Sequence, residues 1–280
     1  MTAGADVRRE RETAGRGSRT GSLPGGLLMV NADDWGRDRT TTDRTLECLR
    51  DSAVSSVSAM VFMEDSERAA RIARERGIET ALHLNLTTPF SAPACPAGLV
   101  EAQRKLARHL LRHRLSPVVF HPTLRGPFAR VVTAQLEEYR RLYGAAPDRV
   151  DGHHHMHLCA NVLLGRLIPP GVLLRRNFSF QPGEKGLANV VYRRLVDGLL
   201  ARRYRLADFF FSLPPLEPAS RLARIVALAR RFVVEVETHP IEPEEHRFLV
   251  GGGLSKLTDG VRIGPPSAIS PATAVAGGHA

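Results

Sequence analysis

Histidine and aspartate residues concentrate in one short stretch of the chain, VDGHHHMH at 150–157. Neutral imidazoles and carboxylates together form the ligand sets that bind zinc and other divalent ions. The stretch follows an apolar segment of strand length and precedes an apolar segment of helical character, which argues against an unstructured histidine-rich tract. We therefore interpret it as one wall of a candidate metal site.

Similar side chains follow three other strand-like segments that are far apart in sequence. NADD (31–34) ends the first apolar run, ALHLNLT (81–87) carries His83, and VVEVETHP (233–240) ends in Glu237 and His239. Each alone has an ordinary explanation, since an Asp pair can cap a helix and a histidine can pack in a core. Because the carboxyl ends of parallel strands meet at one rim, their coincidence predicts a single functional site.

Spacing predicts how the side chains of the histidine stretch are oriented. If the extended conformation continues past residue 152, Asp151, His153 and His155 face one way and His154 faces the other. Asp151 can then orient an imidazole while His153 presents a nitrogen to a metal ion.

The remaining residues suggest a division of roles around that ion. Asp33 and Asp34 are adjacent, so we expect one to bind the metal and the other to act as a general base. His239, from a distant strand, would donate a proton. The ion would polarise a carbonyl and activate water. Two imidazoles and a carboxylate suit zinc, whereas solvent-rich coordination would allow magnesium or manganese.

A regular alternation of strand-like and helix-like segments positions these motifs. The strand-like segments begin near residues 27, 55, 79, 148, 172, 208 and 232. Amphipathic segments lie between most of them, such as DSERAARIARERG (65–77), which Gly77 should end. This order indicates an α/β fold with a parallel sheet, and about seven units predict a closed or nearly closed (β/α) barrel.

One domain is predicted between two tails. Residues 1–24 are rich in Gly, Arg, Thr and Ser and predict a disordered N-terminal tail. Residues 25–265 are predicted to form the barrel, and residues 266–280 a flexible C-terminal tail.

Composition limits the partners and the compartment. No apolar run reaches the roughly 18 residues of a membrane helix, and the N-terminus lacks the apolar centre of a secretory signal. Cys48, Cys95 and Cys159 have unrelated spacings, which favours a reducing, cytoplasmic location; Cys159 is more readily a buried apolar residue than a metal ligand. The net charge is +10, but the basic residues are not interleaved with aromatic residues as they are in a nucleic-acid-binding groove. We expect neither nucleic-acid binding nor an integral membrane segment.

The motifs NADDWG, HLNLT, DGHHHMH and EVETHP, in this order, resemble those of the YdjC-type carbohydrate deacetylases, a group that includes chitooligosaccharide and hopanoid-biosynthesis deacetylases. The resemblance covers about residues 27–250. It implies a deacetylase-type barrel, a divalent ion (Mg²⁺ or Zn²⁺) and hydrolysis of an N-acetyl group on an amino sugar. By motif, Asp34, His83 and His153 match the metal-binding positions, Asp33 the base, and His239 the histidine of the last motif.

The other motif residues are expected to support these groups or to bind substrate. They are Asp151, His155, His157, Trp35 and Glu237, and Trp35 stands where the family usually has Phe. Phe90, Phe178 and Phe180 lie in loops expected to border the cleft, where they could stack on a sugar or simply pack. The substrate is expected to be a small-molecule or lipid-linked amino sugar.

Two alternatives remain open at the level of the sequence. A metal-dependent phosphoesterase could use a similar rim, although no Gly-rich phosphate cradle follows a strand. A non-catalytic barrel that holds sugar or metal is the alternative from another class. Metal binding without hydrolysis of any acetylated sugar would indicate it.

Overall fold

Seven strands, connected by α-helices, and eight α-helices in all make up the part of the chain that the computed structural model describes. That part comprises residues 26–50, 53–180 and 186–269, without the side chains of 187–190. The strands are β1 Leu27–Trp35, β2 Ser56–Ala59, β3 Thr80–Leu84, β4 Arg149–Gly152, β5 Leu173–Leu174, β6 Phe209–Ser212 and β7 Val233–Thr238. The helices are α1 Arg39–Arg50, α2 Ser66–Arg76, α3 Ala97–Leu110, α4 Arg125–Tyr143, α5 Ala160–Leu164, α6 Leu187–Leu200, α7 Ala219–Leu228 and α8 Pro243–Val250.

All strand pairs in the sheet are parallel, in the order β5-β4-β3-β2-β1-β7-β6. The two edges of the sheet, β5 and β6, approach each other. The Leu174 N–H of β5 donates to the carbonyl of Arg205, which precedes β6, at 2.9 Å. The Ser179 N–H likewise donates to the Phe210 carbonyl at 2.7 Å. The sheet is therefore a curled, incompletely closed barrel, and the predicted fold class is confirmed.

The inward-facing residues change from apolar to polar along the barrel. Leu27 and Met29 of β1 pack with Leu173 and Val233 at the lower end of the barrel. Because side chains alternate along a strand, the next inward residues of β1 are Asn31 and then Asp33. On β7 the same alternation gives Val233, Glu235 and Glu237. The upper half of the interior is thus lined by buried polar groups.

Helices cover the outer face and end largely as the sequence indicates. Gly77 ends α2 in the left-handed conformation (φ 63°), and its N–H donates to the Ala73 carbonyl, as predicted. Helix α8 was not anticipated; it begins at Pro243 and packs on α1, where His246 Nε2 lies 2.8 Å from Glu47 Oε2. None of the described helices is long and apolar enough to cross a membrane.

The C-terminal segment closes the lower end of the barrel beside β1. Leu28 N–H donates to the Arg262 carbonyl at 2.9 Å, and Gly264 N–H donates back to the Leu28 carbonyl at 3.1 Å. Ile269 is buried in the apolar cluster at the lower end of the barrel, together with Leu27 and Met29. The packed barrel domain therefore extends beyond the boundary predicted at residue 265. The predicted N-terminal tail (1–24) and residues 270–280 of the C-terminal tail lie outside the described residues.

Candidate metal centre and active site

Two adjacent aspartates, Asp33 and Asp34, lie near the end of β1, and both side chains face the upper end of the barrel. Regular alternation would point Asp33 and Asp34 to opposite faces of the sheet. The register between β1 and β2 shifts between Ala32 and Trp35, however, and Asp34 has a left-handed φ of 63°. Aspartate tolerates this conformation better than most residues with a side chain. The irregularity turns the Asp34 carboxylate toward the same site as Asp33.

Asp34, His83 and His153 come together from β1, β3 and the end of β4. Asp34 Oδ1 lies 3.3 Å from His83 Nε2 and 2.9 Å from His153 Nδ1, and all three side chains are buried. Neither Asp34 Oδ1 nor His83 Nε2 has a hydrogen bond of proper geometry to a described residue. Buried ligand atoms that face one another without a hydrogen bond are what a metal site requires, so the three residues fit a divalent cation.

Asp151 fixes the orientation of the His83 ring. Asp151 Oδ1 lies 2.8 Å from His83 Nδ1, which directs Nε2 toward Asp34. Burial lowers the pKa of His83, but the carboxylates of Asp33, Asp151 and Asp34 outweigh burial and raise it to about 10. The surrounding negative charge therefore favours a cation at this point, either a proton on the imidazole or a metal ion.

The histidine stretch leaves the strand conformation after Gly152. Residues His153–Leu158 form a tight turn in which His154 and His155 have φ near 55°. The predicted alternation through His155 is therefore wrong, because β4 ends before it. His154 does not pack in the core: it is exposed, stacks on His153 with ring centroids 4.0 Å apart, and lies 3.0 Å from Thr87 Oγ1.

Asp33 is held by a buried arginine, Arg175, which lies outside the predicted site residues. Arg175 NH1 and NH2 donate to Asp33 Oδ2 and Oδ1 at 2.7 and 2.8 Å. Burial raises the pKa of Asp33, but the Arg175 guanidinium and His83 outweigh burial and lower it. Asn31 Nδ2 also donates to Asp33 Oδ1 at 2.7 Å. The carboxylate is thus ionised and fixed in position, with Oδ2 3.9 Å from His83 Nε2.

His239 and Glu237 complete the rim on the side of β7. His239 Nε2 lies 4.0 Å from Asp33 Oδ2, and its ring is partly exposed. Glu237 Oε2 lies 3.2 Å from Arg175 NH1, and Glu237 Oε1 lies 3.7 Å from His155 Nε2. Burial and the neighbouring Asp33 carboxylate raise the pKa of Glu237 well above its usual value.

A second buried arginine ties the site to the barrel interior. Arg149 NH1 donates to Asn31 Oδ1 at 2.7 Å, and Arg149 NH2 donates to Glu235 Oε1 at 2.6 Å. Arg175 Nε reaches the same Glu235 oxygen at 2.6 Å. Ser58 Oγ donates to Asp151 Oδ2 at 2.6 Å. The signal that could have revealed this network is the alternation of charged and apolar residues within strands that a barrel buries on both faces.

The remaining predicted residues divide between support and core. His157 is fully buried, and its Nε2 lies 2.9 Å from the Arg175 carbonyl, so it braces the segment that carries Arg175. Burial lowers the pKa of His157 to about 4. Trp35 is fully buried in the hydrophobic core, which corrects the expectation that it could bind substrate. Cys159 is also buried, and burial raises the pKa of its thiol to about 11.

Aromatic side chains stand beside His155 at the rim. The Phe178 ring stacks on Phe210 at 4.6 Å and meets His155 edge-on at 4.6 Å. Phe178 is partly exposed, so it remains a candidate for contact with substrate. Phe90 instead is buried against Phe62, with ring centroids 5.2 Å apart, so it does not offer a free stacking face.

The fold and the site together define a parallel (β/α) barrel with a candidate carboxylate–imidazole metal centre at its C-terminal rim. The model of the family described as "YdjC-like protein" matches residues 27–243. The chain belongs to the YdjC-like family, which confirms the resemblance in its motifs.

Curated relatives of the chain carry deacetylase names. It is 34% identical over 137 residues to a chitooligosaccharide deacetylase of Serratia marcescens, covering 47% of this chain and 51% of that protein. It is 32% identical over 187 residues to a carbohydrate deacetylase of Mus musculus, covering 61% and 55% respectively. The matches span about half the length of these relatives.

A solved structure shares the fold. It is a proposed cellobiose-phosphate cleavage protein from Enterococcus faecalis V583, with a TM-score of 0.62 and 15% sequence identity. The similarity covers 88% of this chain and 100% of that one. At this identity the similarity concerns the fold alone.

Proposed function

We propose that the protein is a metal-dependent hydrolase that removes the N-acetyl group from an acetylated amino sugar. The observation that carries the proposal is the convergence of two buried ligand atoms without hydrogen bonds, Asp34 Oδ1 and His83 Nε2, with His153 Nδ1 2.9 Å from the carboxylate oxygen. The names of the curated relatives support the reaction and the class of substrate. The free cysteines support a reducing, cytoplasmic setting, which is part of the proposal.

Asp34, His83 and His153 would hold the divalent ion. When bound, such an ion polarises a carbonyl group and lowers the pKa of water. Two imidazoles and one carboxylate favour zinc over magnesium, which prefers oxygen ligands. The fixed tautomer of His83, set by Asp151 at 2.8 Å, keeps its Nε2 lone pair directed at the site.

Asp33 is the proposed general base. Its carboxylate is ionised, and Arg175 donates to both of its oxygens, which fixes its orientation. Asp33 Oδ2 lies between the metal ligands and the partly exposed ring of His239. From there it can accept a proton from an attacking water molecule.

His239 is the proposed acid. Its ring is partly exposed at the rim, where the departing nitrogen of a bound amide would lie, and it does not hydrogen-bond to Asp33 at 4.0 Å. Its backbone N–H is held by Glu245 Oε2 at 2.9 Å. Water adds its oxygen to the acetyl carbon, the C–N bond breaks, and the amine leaves with the proton from His239. The products are acetate and a free amino sugar.

Acetate release from a panel of N-acetylated amino sugars tests this proposal. The metal-stripped protein is given Zn²⁺, Mn²⁺ or Mg²⁺ separately, and phosphate release from sugar phosphates is measured in parallel. We expect metal-dependent acetate release only. Asp33→Asn should bind the metal but lose activity, because the amide cannot take up the proton. Full activity of Asp33→Asn would contradict the base assignment.

Two other outcomes identify the alternatives. Phosphate release without acetate release would indicate a phosphoesterase. Stoichiometric metal binding without hydrolysis of any sugar in the panel would indicate a non-catalytic barrel.

A further inference from the structure

A loop between α3 and α4 carries exposed apolar side chains. Its sequence is LRHRLSPVVF (111–120), and we refer to it as the 111–120 loop. Its large apolar residues are 38–59% exposed: Leu111, Leu115, Val118, Val119 and Phe120. Concentrated exposed apolar groups are a feature of surfaces at which folded proteins contact a partner or a membrane.

The chain around this loop is strongly basic. No Asp or Glu occurs from Ala102 to Leu136, whereas the same stretch contains seven Lys and Arg residues. Arg112 and Arg114 lie within the loop itself and are exposed. The positive potential of the loop is therefore not neutralised by acids of its own segment, and the surface suits an anionic partner.

The loop is fixed against the element that follows the histidine turn. Ala160 N–H of α5 donates to the Pro117 carbonyl at 2.7 Å, and His121 N–H donates to Asn161 Oδ1 at 2.8 Å. Asn161 Nδ2 donates back to the His121 carbonyl at 2.9 Å. Helix α5 also presents Leu164, which is 68% exposed. The apolar loop is thus attached close to the turn that carries His153.

We propose that the 111–120 loop docks the protein on an anionic membrane surface. Leu115, Val118 and Val119 would enter the headgroup region, and the arginines of the loop would contact lipid phosphates. Exposed apolar residues with flanking basic residues are characteristic of segments that bind the membrane interface. This binding is independent of the proposed reaction, so either proposal can fail without the other.

Two other occupants fit the loop less well. A second copy of the chain would bring two basic loops together and cause like-charge repulsion. A nucleic acid would be attracted by the arginines but would gain little from Leu115 or Val119.

Sedimentation with lipid vesicles tests the proposal. The full chain is mixed with vesicles of phosphatidylglycerol and phosphatidylcholine in equal parts, or of phosphatidylcholine alone. We expect binding to the anionic vesicles only, decreasing with salt. Leu115→Asp with Val119→Asp should lower binding by about tenfold or more, because the apolar contact is lost. Arg112→Glu with Arg114→Glu should lower it as well.

Matched variants elsewhere on the surface serve as controls. Leu195→Asp with Leu199→Asp changes two exposed apolar residues of α6, and Arg76→Glu with Arg140→Glu changes two exposed arginines by the same charge. Both pairs should bind like the wild type. All these side chains are exposed, so each variant should remain folded, and thermal unfolding of each variant is measured to check this.

Fluorescence reports where the membrane is contacted. The single native tryptophan, Trp35, is fully buried and gives a constant background. Val119→Trp should shift its emission to the blue on anionic vesicles, whereas Leu195→Trp should not. Absence of vesicle binding, loss of binding in the α6 pair instead of the loop pair, or dimerisation through the loop would overturn the proposal. Equal binding to a DNA duplex, unaffected by the two Asp substitutions, would also overturn it.

Discussion

Arg175 bridges both carboxylate oxygens of Asp33, at 2.7 and 2.8 Å, in the buried upper end of the barrel. Arg175, the residue after β5, also contacts Glu235 and Glu237, so its guanidinium connects the end of β5 with β1 and β7 around the candidate base. A bidentate ion pair restricts orientation as well as charge. The geometry of Asp33 therefore depends on a residue outside the four motifs.

Arg175→Lys should lower kcat by about 100-fold, because an ammonium cannot bridge both oxygens and Asp33 loses its alignment. KM should change little, since Arg175 is fully buried. Arg176→Lys is the matched control: Arg176 pairs with Asp197 of α6 and should keep near-normal kcat. Steady-state kinetics measures kcat and KM of the wild type and both variants. A folded Arg175→Lys protein with wild-type kcat would show that Asp33 does not depend on its bidentate ion pair with Arg175.

Asp151→Asn should weaken metal binding by about 10- to 100-fold, because His83 loses the carboxylate that fixes its ring. Calorimetric titration of the metal-stripped protein with Zn²⁺ measures the change. Asp148→Asn, at an exposed position three residues earlier, serves as the control. An unchanged Zn²⁺ affinity in Asp151→Asn would show that Asp151 does not contribute to metal binding by orienting His83.

Gly152→Ala should destabilise the protein by about 1–3 kcal/mol through overpacking. A Cβ at this position would lie 3.0 Å from three atoms of His157, at the start of the histidine turn. Gly198→Ala, in α6, meets no atom within 4 Å and should stabilise by about 0.5–1 kcal/mol. Urea unfolding compares the two variants. Equal stability of Gly152→Ala and the wild type would mean that the turn can move away from His157.

Glu245 should make stability fall as pH rises. Burial raises the pKa of Glu245 above the value of 4.5 expected when unfolded, although Thr238 Oγ1 donates to its Oε2 at 2.6 Å. Between the two pKa values the folded state binds more protons than the unfolded state, so stability is lost as pH rises through this window. Glu245→Gln keeps an acceptor oxygen and removes the titration.

Urea unfolding from pH 4 to pH 8, roughly spanning the titration of a carboxyl, measures this effect. The stability of the wild type relative to Glu245→Gln should decline over the range. A relative stability that rises with pH would mean that the ionised carboxylate is the preferred form in the folded protein.

Much of the fold follows from patterns that a sequence displays directly. Strand-length apolar runs alternating with amphipathic segments predicted the seven strands, and Gly77 marked the end of α2. The sequence pattern did not predict helix α8, because the helix is short and lies among Gly and Pro residues. Its position depends on contacts with α1, which local periodicity does not contain.

The grouping of site residues could be predicted better than their conformations. The motifs placed Asp34, His83 and His153 at one rim because strand ends converge there. The left-handed backbone of Asp34 and the turn at His154 depend on tertiary packing, so alternation alone misplaced His155. Arg175 was missed because an arginine in LLRR resembles a surface residue until the strand is known to face the barrel interior.

The most direct test of the metal centre is to measure bound metal and acetate release on the same preparations of wild-type and His153→Ala protein. We predict one tightly bound divalent ion per wild-type chain, with acetate release that disappears on chelation and returns when the ion is restored. His153→Ala should lose both the ion and the activity while remaining folded. Acetate release that is unchanged in His153→Ala, or that persists after complete removal of metal, would contradict the assignment of Asp34, His83 and His153 as the catalytic metal site.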